Sequence, residues 1–142
     1  MSYTADYEYG KQQEVAIFPI LSKRCKGIKL MEDRFNHWDA ESDKAVLEIK
    51  SRKMFSNSFP DTMISSKKVD KGFQESRAVG FVFNFYDKIY VCSLSEKFKT
   101  YKKKYMKVKS RDGISEGYEW KTLIPMEDLT CIHTKNLFID DE

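Results

Sequence analysis

Two acidic residues and one lysine in the first third of the chain have the types and spacing of a metal-assisted catalytic site. Eight residues separate Asp39 from Glu48, and Lys50 follows two positions later, across the polar turn Glu41-Ser42-Asp43-Lys44. A two-residue hairpin loop at Asp43-Lys44 would put Asp39 directly opposite Glu48, and strand alternation would put Lys50 on the same face. Carboxylates that close repel each other unless a cation or a shared proton lies between them. The pattern therefore predicts an oxygen-ligand site for Mg²⁺ or Mn²⁺.

The lysine adds a catalytic role to that prediction. Beside a metal, Lys50 could orient or deprotonate the attacking water and stabilise charge on a phosphate. Leu47 and Ile49 alternate with the charged residues, so we expect them to enter the core and the charged face to lie at the surface. The alternative is a solvated hairpin face with a cross-strand ion pair, the more frequent fate of a Glu-x-Lys sequence by itself. The facing Asp39 and the aliphatic opposite face give the two interpretations about equal weight.

These residues resemble the metal-dependent PD-(D/E)xK nuclease superfamily, in the form found in small single-domain viral and phage members. The resemblance depends on Asp39, the spacing to Glu48-Ile49-Lys50 and the trailing Ser51-Arg52. Trp38 stands where the family motif has Pro, a position that varies across the superfamily. The resemblance implies that Asp39, Glu48 and the backbone carbonyl of Ile49 are metal ligands and that Lys50 is the catalytic lysine.

A glutamate on the first helix is also implied by the resemblance. Many family members place a Glu near the metal there, and Glu14 stands at the corresponding position. Independently of the family, Glu14 shares a helical stripe with Phe18, Leu21 and Cys25. An acid on a buried stripe needs a partner, which a metal or Lys50 would supply. The alternative is that Glu14 lies at the edge of the stripe and is solvated.

Basic residues beyond Lys50 are candidates for contact with phosphates. Some viral family members carry a lysine on the second helix after a Met-Ile pair, and here Met63-Ile64 precedes Lys67 and Lys68. The resemblance assigns Lys68 to that place. A helix N-terminus with two lysines also favours a phosphate, although a double lysine usually lies on a solvated face. Arg52 is a further candidate for phosphate contact, with pairing to a nearby acid as its alternative.

The elements that must position these residues follow from periodicity and turn signals. The pattern predicts a helix from Gly10 to about Lys26, strands Ile28–Ala40 and Lys44–Lys50, a helix capped by Ser65 or Ser66 and running to about Arg77, strands Val79–Tyr86 and Ile89–Leu94, and a hairpin of Tyr105–Lys109 with Tyr118–Ile124. The order over about residues 8–94 is similar to the restriction-endonuclease-like core of the superfamily. We therefore expect one α/β domain over residues 1–142, with a mixed central sheet flanked by helices and a C-terminal β-hairpin extension in residues 95–142.

A net charge of +3, from 25 basic and 22 acidic residues, conceals two segments of opposite sign. Lys97 to Arg111 contains seven Lys, one Arg and no acid, whereas residues 112–142 contain eight acids and two Lys. The basic segment mixes its lysines, Lys102, Lys103 and Lys104 among them, with three aromatics, a combination suited to phosphate neutralisation and base stacking. The alternative is a lysine-protected edge strand whose aromatics belong to the core.

The remaining composition limits the class of protein. Three distant cysteines, Cys25, Cys92 and Cys131, argue against a disulfide framework or a zinc site and indicate a reducing, intracellular compartment. The longest apolar run, near Val15–Leu21, is too short to cross a membrane. We therefore expect a soluble, intracellular, Mg²⁺-dependent nuclease of viral or phage type, with Mn²⁺ as a substitute. It would hydrolyse DNA phosphodiesters, with junction or repair substrates and a homodimer as hypotheses. The alternatives are a non-catalytic nucleic-acid-binding module with a nuclease-like fold, and a small protein-interaction domain.

Overall fold

A six-stranded mixed sheet, a three-stranded antiparallel sheet and two α-helices make up the part of the chain that the structure describes. The structure is a computed structural model, and it describes residues 3–32, 37–109 and 116–136. In chain order the elements are α1 (Tyr3–Arg24), β1 (Lys29–Leu30), β2 (Ala40–Glu41), β3 (Ala45–Ser51), β4 (Asp61–Ser65), α2 (Ser66–Gln74), β5 (Ala78–Asn84), β6 (Lys88–Ser93), β7 (Lys103–Lys109), β8 (Glu116–Pro125) and β9 (Thr130–Thr134). Short 3-10 turns cover Glu96–Thr100 and Met126–Asp128.

The larger sheet has the strand order β1-β2-β3-β5-β6-β9. Its central pair, β3 and β5, is parallel, with Glu48 opposite Phe81 and Lys50 opposite Phe83. The other neighbouring strands in it run antiparallel. A parallel pair needs a long crossover connection, and β4 with α2 supplies it. As a result, the first turn of α2 lies over the face of β3 that carries Glu48.

Buried apolar side chains cover both faces of this sheet. On one face, α1 contributes to a cluster of five buried residues: Ile17, Leu21, Ile49, Val82 and Ile89. On the other face, α2 and the smaller sheet pack against β3 and β5 through a larger cluster that includes Trp38, Val46, Ile64, Val69, Phe81, Phe83, Phe98 and Ile124. Because alternate residues of a strand face opposite sides, Leu47 and Ile49 face α1, whereas Glu48 and Lys50 share the side that α2 covers.

The smaller sheet, in the order β4-β8-β7, is part of the same core. Ile64 of β4 lies opposite Thr122 of β8, and both are buried. The Thr122 hydroxyl lies 2.8 Å from the hydroxyl of Ser66, so two buried polar groups satisfy each other. Ile124 is also fully buried. The C-terminal part of the chain is therefore packed onto the central sheet rather than appended to it.

The prediction of an α/β fold with a mixed sheet and flanking helices is confirmed, and so are the β5–β6 hairpin and the strands of the β7–β8 pair. The turn predicted around residues 111–113 lies outside the described residues. None of the described helices is long and apolar enough to cross a membrane. Within the described residues, the strand predicted over Ile28–Ala40 was wrong. It is two short strands that pair with each other, because the chain folds back and the Met31 N–H donates to the Asp39 carbonyl at 2.9 Å.

Two helix boundaries also differ from the prediction. The first helix begins at Tyr3 rather than Gly10 and continues through Pro19 to Arg24. The second helix ends at Gln74 rather than near Arg77. Ser65 stands at the N-cap position of α2 but makes no side-chain cap hydrogen bond, because its hydroxyl is bonded to the Glu119 carboxylate at 3.0 Å. Strands β4 and β9 were not predicted.

Candidate functional site

Asp39, which directly precedes β2, lies against the backbone of β3. The regular pairing ends at Ala40 and Leu47, and the two-residue loop predicted at Asp43-Lys44 is present because the Ser42 N–H donates to the Ala45 carbonyl. The Asp39 N–H also donates to the Leu47 carbonyl, at 2.9 Å. A β-bulge is formed where two successive residues of one strand face a single residue of the partner strand. The bulge redirects Asp39, so it does not continue the ladder to pair with the next residue of β3.

The Asp39 carboxylate replaces the missing ladder bond. Its Oδ2 accepts a hydrogen bond of 2.7 Å from the Ile49 N–H. The N–H and carbonyl of one strand residue point to the same side, so the Ile49 carbonyl also points past the end of β2. The Asp39 carboxylate and the Ile49 carbonyl, two of the predicted ligands, therefore lie on the same side of β3, just before the start of β2.

Three carboxylates from three elements lie close enough to influence one another: Glu14 of α1, Asp39 before β2 and Glu48 of β3. Burial, reinforced by repulsion from Asp39 and opposed by Lys11, raises the pKa of Glu14 to about 7. Burial and repulsion from Glu48 raise the pKa of Asp39 to about 6, although its hydrogen bond from Ile49 acts in the opposite direction. The interpretation of Glu14 as a buried acid is therefore favoured over a solvated one, since only 7% of the residue is exposed.

Two lysines contact Glu48. Lys50 Nζ lies 3.3 Å from one carboxylate oxygen and Lys68 Nζ lies 3.4 Å from the other. Lys68 also donates to the His37 carbonyl and lies 4.9 Å from the Trp38 ring centre. The expectation that the charged face lies at the protein surface was wrong for Glu48, of which 6% is exposed. The reason is that α2, which crosses this face, covers it.

The other predicted basic residues have different surroundings. Lys67 is exposed on α2, and among the described residues no ion pair joins it to the carboxylates. Arg52 directly follows β3 and donates to the Met63 carbonyl, which ties the end of β3 to β4. Burial lowers the pKa of Arg52, while the nearby Glu48 opposes that shift. Arg52 therefore has a structural bond in addition to any contact with substrate.

These residues are of the types that bind a divalent cation, but in the structure they are not arranged around a common point. Carboxylates and a backbone carbonyl are the oxygen ligands that Mg²⁺ takes, and Mg²⁺ often uses one or two carboxylates together with water and substrate phosphate. The raised pKa values of Glu14 and Asp39 reflect first the burial of their charged forms and then repulsion between the carboxylates, and a bound cation would oppose both effects. Yet among the described residues no group of three acidic, His or Cys side chains is arranged to hold a metal. Each carboxylate instead contacts a lysine or a backbone N–H, as described above.

Two features of the site escaped the sequence analysis. Lys11 lies 3.4 Å from the Glu14 carboxylate and 3.2 Å from the Met31 carbonyl. Its position one helical turn before Glu14 was the available signal. The buried Asn84 donates to Gln13 of α1 at 3.0 Å and to Ser51 of β3 at 3.1 Å. A polar residue in the apolar strand Ala78–Asn84 was the available signal there, and the bond to Gln13 holds α1 beside β3.

The basic segment is divided by the fold. Phe98 is buried in the core, and Lys97 forms an ion pair of 3.1 Å with Asp128. Tyr101 donates a hydrogen bond of 2.6 Å to the same carboxylate. The core interpretation is thus correct for these two aromatics, and an acid from the C-terminal segment contacts the basic segment of its own chain. Lys102, Lys103 and Lys104 are exposed, but alternation along β7 directs Lys103 and Lys104 to opposite faces.

Comparison with protein-family models, with curated proteins and with solved structures finds no match. The interpretation of the site therefore depends on the motif and on the geometry of its side chains. That geometry consists of three acids, the backbone of Ile49 and the lysines around them.

Proposed function

We propose that this protein is a metal-dependent nuclease that hydrolyses DNA phosphodiester bonds at the site beside the start of β2. The observation that carries the proposal is the meeting of Glu14, Asp39 and Glu48, which come from three elements far apart in sequence, with Lys50 and Lys68 beside them. Buried acids that raise one another's pKa destabilise a fold. Such an arrangement is typical of functional sites.

The element order adds support for a PD-(D/E)xK-like core. A helix with a buried acid is followed by an antiparallel three-strand unit, a crossover helix and a strand parallel to the third. Asp39 directly precedes the second strand of that unit, Glu48 and Lys50 lie on the third, and Lys68 comes from the crossover helix. The resemblance implies a helix, two strands, a helix and two strands, and the observed order contains these elements together with the additional strands β1 and β4.

Each residue has a distinct role in the proposal. Asp39, Glu48 and the Ile49 carbonyl, with Glu14, would hold Mg²⁺ or Mn²⁺. The cation would lower the pKa of a bound water and neutralise charge on the phosphate. The Lys50 side chain is 39% exposed and that of Lys68 is 21% exposed, so solvent reaches Lys50 more readily, and Lys50 would orient the attacking water. Lys68, with Lys67 and Arg52 nearby, would contact the phosphate.

The test is incubation of supercoiled plasmid and a four-way junction with the protein in Mg²⁺, in Mn²⁺ and in EDTA. Cutting should require a cation, and Lys50→Ala and Asp39→Asn should each lower its rate about 100-fold or more. Matched controls come from the exposed turn of the same hairpin, where Lys44→Ala and Asp43→Asn should leave the rate unchanged. Full activity in Lys50→Ala, or no cutting by the parent protein under any condition, would refute the assignment.

A homodimer remains part of this proposal, because cutting both strands of a duplex or junction normally needs two sites. Sedimentation of the free protein and of its complex with a junction measures the stoichiometry directly. One protein chain per junction with both strands cut would contradict the dimer and leave the nuclease assignment intact.

A second candidate is a non-catalytic nucleic-acid-binding module with the same fold. The observation that favours it is that Lys50 and Lys68 already neutralise Glu48, and that no three-residue metal group is arranged among the described residues. This candidate predicts binding that is the same in Mg²⁺ and in EDTA, without cutting. In both candidates the affinity falls steeply with salt, so salt dependence does not distinguish them.

A further inference from the structure

An exposed group of three aromatic rings lies on one face of the β7–β8 hairpin. Tyr105 of β7 stacks on Tyr118 of β8, with ring centres 5.4 Å apart and an interplanar angle of 19°. Trp120 lies on the other side of Tyr105, with ring centres 5.1 Å apart. These three residues, here called the aromatic platform, are 57%, 60% and 53% exposed. Exposed aromatics grouped in this way mark an interaction surface.

Register shows what surrounds the platform. Tyr105 pairs with Trp120, and Lys107 pairs with Tyr118, so Lys103, Tyr105 and Lys107 point to one face of β7. Along β8, Thr122 lies on the same face as Tyr118 and Trp120, but there the face is covered and Thr122 is buried. No acidic side chain stands between the aromatics within the described part of this face, because Glu119 lies on the opposite face and contacts Ser65. Lys103 and Lys107 therefore flank Tyr105 on the face that carries the platform.

We propose that the aromatic platform binds unpaired bases of a single-stranded nucleic acid, with the lysines of β7 on its phosphates. Stacking on aromatic rings is open to every base because every base has a π-face, and neighbouring cations follow the backbone. A duplex hides the faces of its bases, so the platform selects single-stranded segments, flaps or frayed ends. The proposal depends on the proposed function for its choice of nucleic acid as ligand, and it adds the form of substrate that the protein prefers.

The two tryptophans provide a direct readout. Trp120 is 53% exposed and Trp38 is 3% exposed, so a ligand that stacks on the platform quenches the fluorescence of Trp120 selectively. The titration is done in EDTA, which prevents metal-dependent cutting. The ligands are a DNA oligonucleotide, the same strand as a duplex, an RNA of the same sequence, and an abasic strand of equal length that keeps the phosphates but lacks the bases.

Tyr105→Ala removes the ring that contacts both other members of the platform, and it should weaken binding of the DNA strand about 5- to 150-fold. The matched control is Phe55→Ala, which removes an exposed ring that contacts Tyr86 rather than the platform, and it should leave the affinity unchanged. The duplex and the abasic strand should bind more weakly than the single strand. Tight RNA binding would extend the ligand to both nucleic acids, in agreement with stacking on bases of either kind.

Equal affinity for the abasic and the intact strand would overturn the proposal, because binding would then be electrostatic alone. It would also be overturned if Tyr105→Ala bound like the parent protein. A further contrary result is a dimer in sedimentation experiments whose Trp120 fluorescence does not respond to oligonucleotide. The failure of the proposed function looks different. A protein that binds single strands through Tyr105 but cuts nothing keeps this inference, whereas one that cuts duplex without base-dependent binding loses only this inference.

Discussion

Replacing Glu14 by Gln should stabilise the metal-free protein at alkaline pH and leave its stability at acidic pH nearly unchanged. The carboxyl is nearly buried, and its pKa rises from the ordinary 4.5 to about 7. In the unfolded chain the same group ionises at its ordinary pKa. Between these two values the native protein holds a proton that the unfolded chain releases, so stability falls as the pH rises through this window.

The size of the effect follows from the shift. At about 1.4 kcal/mol per pKa unit, the ionised Glu14 costs the fold about 3 kcal/mol once the pH is well above 7. Loss of the ion pair with Lys11, which is partly exposed, removes a small part of that gain. We therefore expect Glu14→Gln to raise the free energy of unfolding by about 1 to 3 kcal/mol at pH 8, and by a few tenths at most at pH 4.5.

The assay is urea denaturation in EDTA at both pH values, followed by the fluorescence of the buried Trp38. The matched control is Glu8→Gln, because Glu8 is an exposed acid on the same helix and its replacement should change little at either pH. A Glu14→Gln protein that is less stable than the parent at pH 8 would refute the reasoning. So would a change of equal size at both pH values, because burial of charge would then not be its cause.

Four further outcomes are expected from urea denaturation at neutral pH. Phe81→Ala should destabilise the fold by about 3 to 5 kcal/mol, since the ring is fully buried at the centre of the larger cluster. Asn84→Ala should cost about 1 to 3 kcal/mol, because the buried Asn84 side chain donates hydrogen bonds to Gln13 of α1 and Ser51 of β3, and the substitution removes both. Gly27→Ala should cost about 1 kcal/mol, because Gly27 has φ 81°. Mg²⁺ at ten times its dissociation constant should stabilise the parent protein by about 1.4 kcal/mol, and an unchanged response in Asp39→Asn would remove Asp39 from the ligand set.

The elements that sequence could predict are those whose signals are local. The strand that carries Glu48-Ile49-Lys50 follows from alternation, and its turn follows from the polar residues before it. The β5–β6 hairpin has the same origin, since the Phe85 N–H and the Lys88 carbonyl close it at 2.9 Å. For these segments, short-range pattern and tertiary packing favour the same conformation.

Strands β4 and β9 could not be predicted because their partners lie far away in sequence. Ile64 of β4 pairs with Thr122, which is almost sixty positions later. Such a strand is stabilised by a neighbour that a local window does not contain. The burial of Glu48 escaped prediction for the same reason, because the side chain is covered by a helix that comes after it.

The bulge at Asp39 explains why the sequence identified the residues of the site but not their contacts. Regular pairing would have set the Asp39 carboxylate opposite the Glu48 side chain, whereas the bulge sets it on the Ile49 backbone. A bulge depends on the hydrogen bonds of both strands, and neither strand encodes it alone. The motif spacing therefore predicted which residues meet, while the backbone determined how they meet.

The charges around Glu48 suggest how a metal and a phosphate would bind in the proposed site. Lys50 and Lys68 neutralise Glu48 in the structure, so a cation must compete with them for the carboxylate. A phosphate attracts the same two lysines and would draw them away from Glu48. Without that competitor, the lysines repel a cation at short range. Each ligand thus removes an obstacle to the other, and binding free energies coupled in this way are reciprocal. The lack of a ready-made metal cluster among the described residues is therefore compatible with a nuclease whose cation site is completed by its substrate.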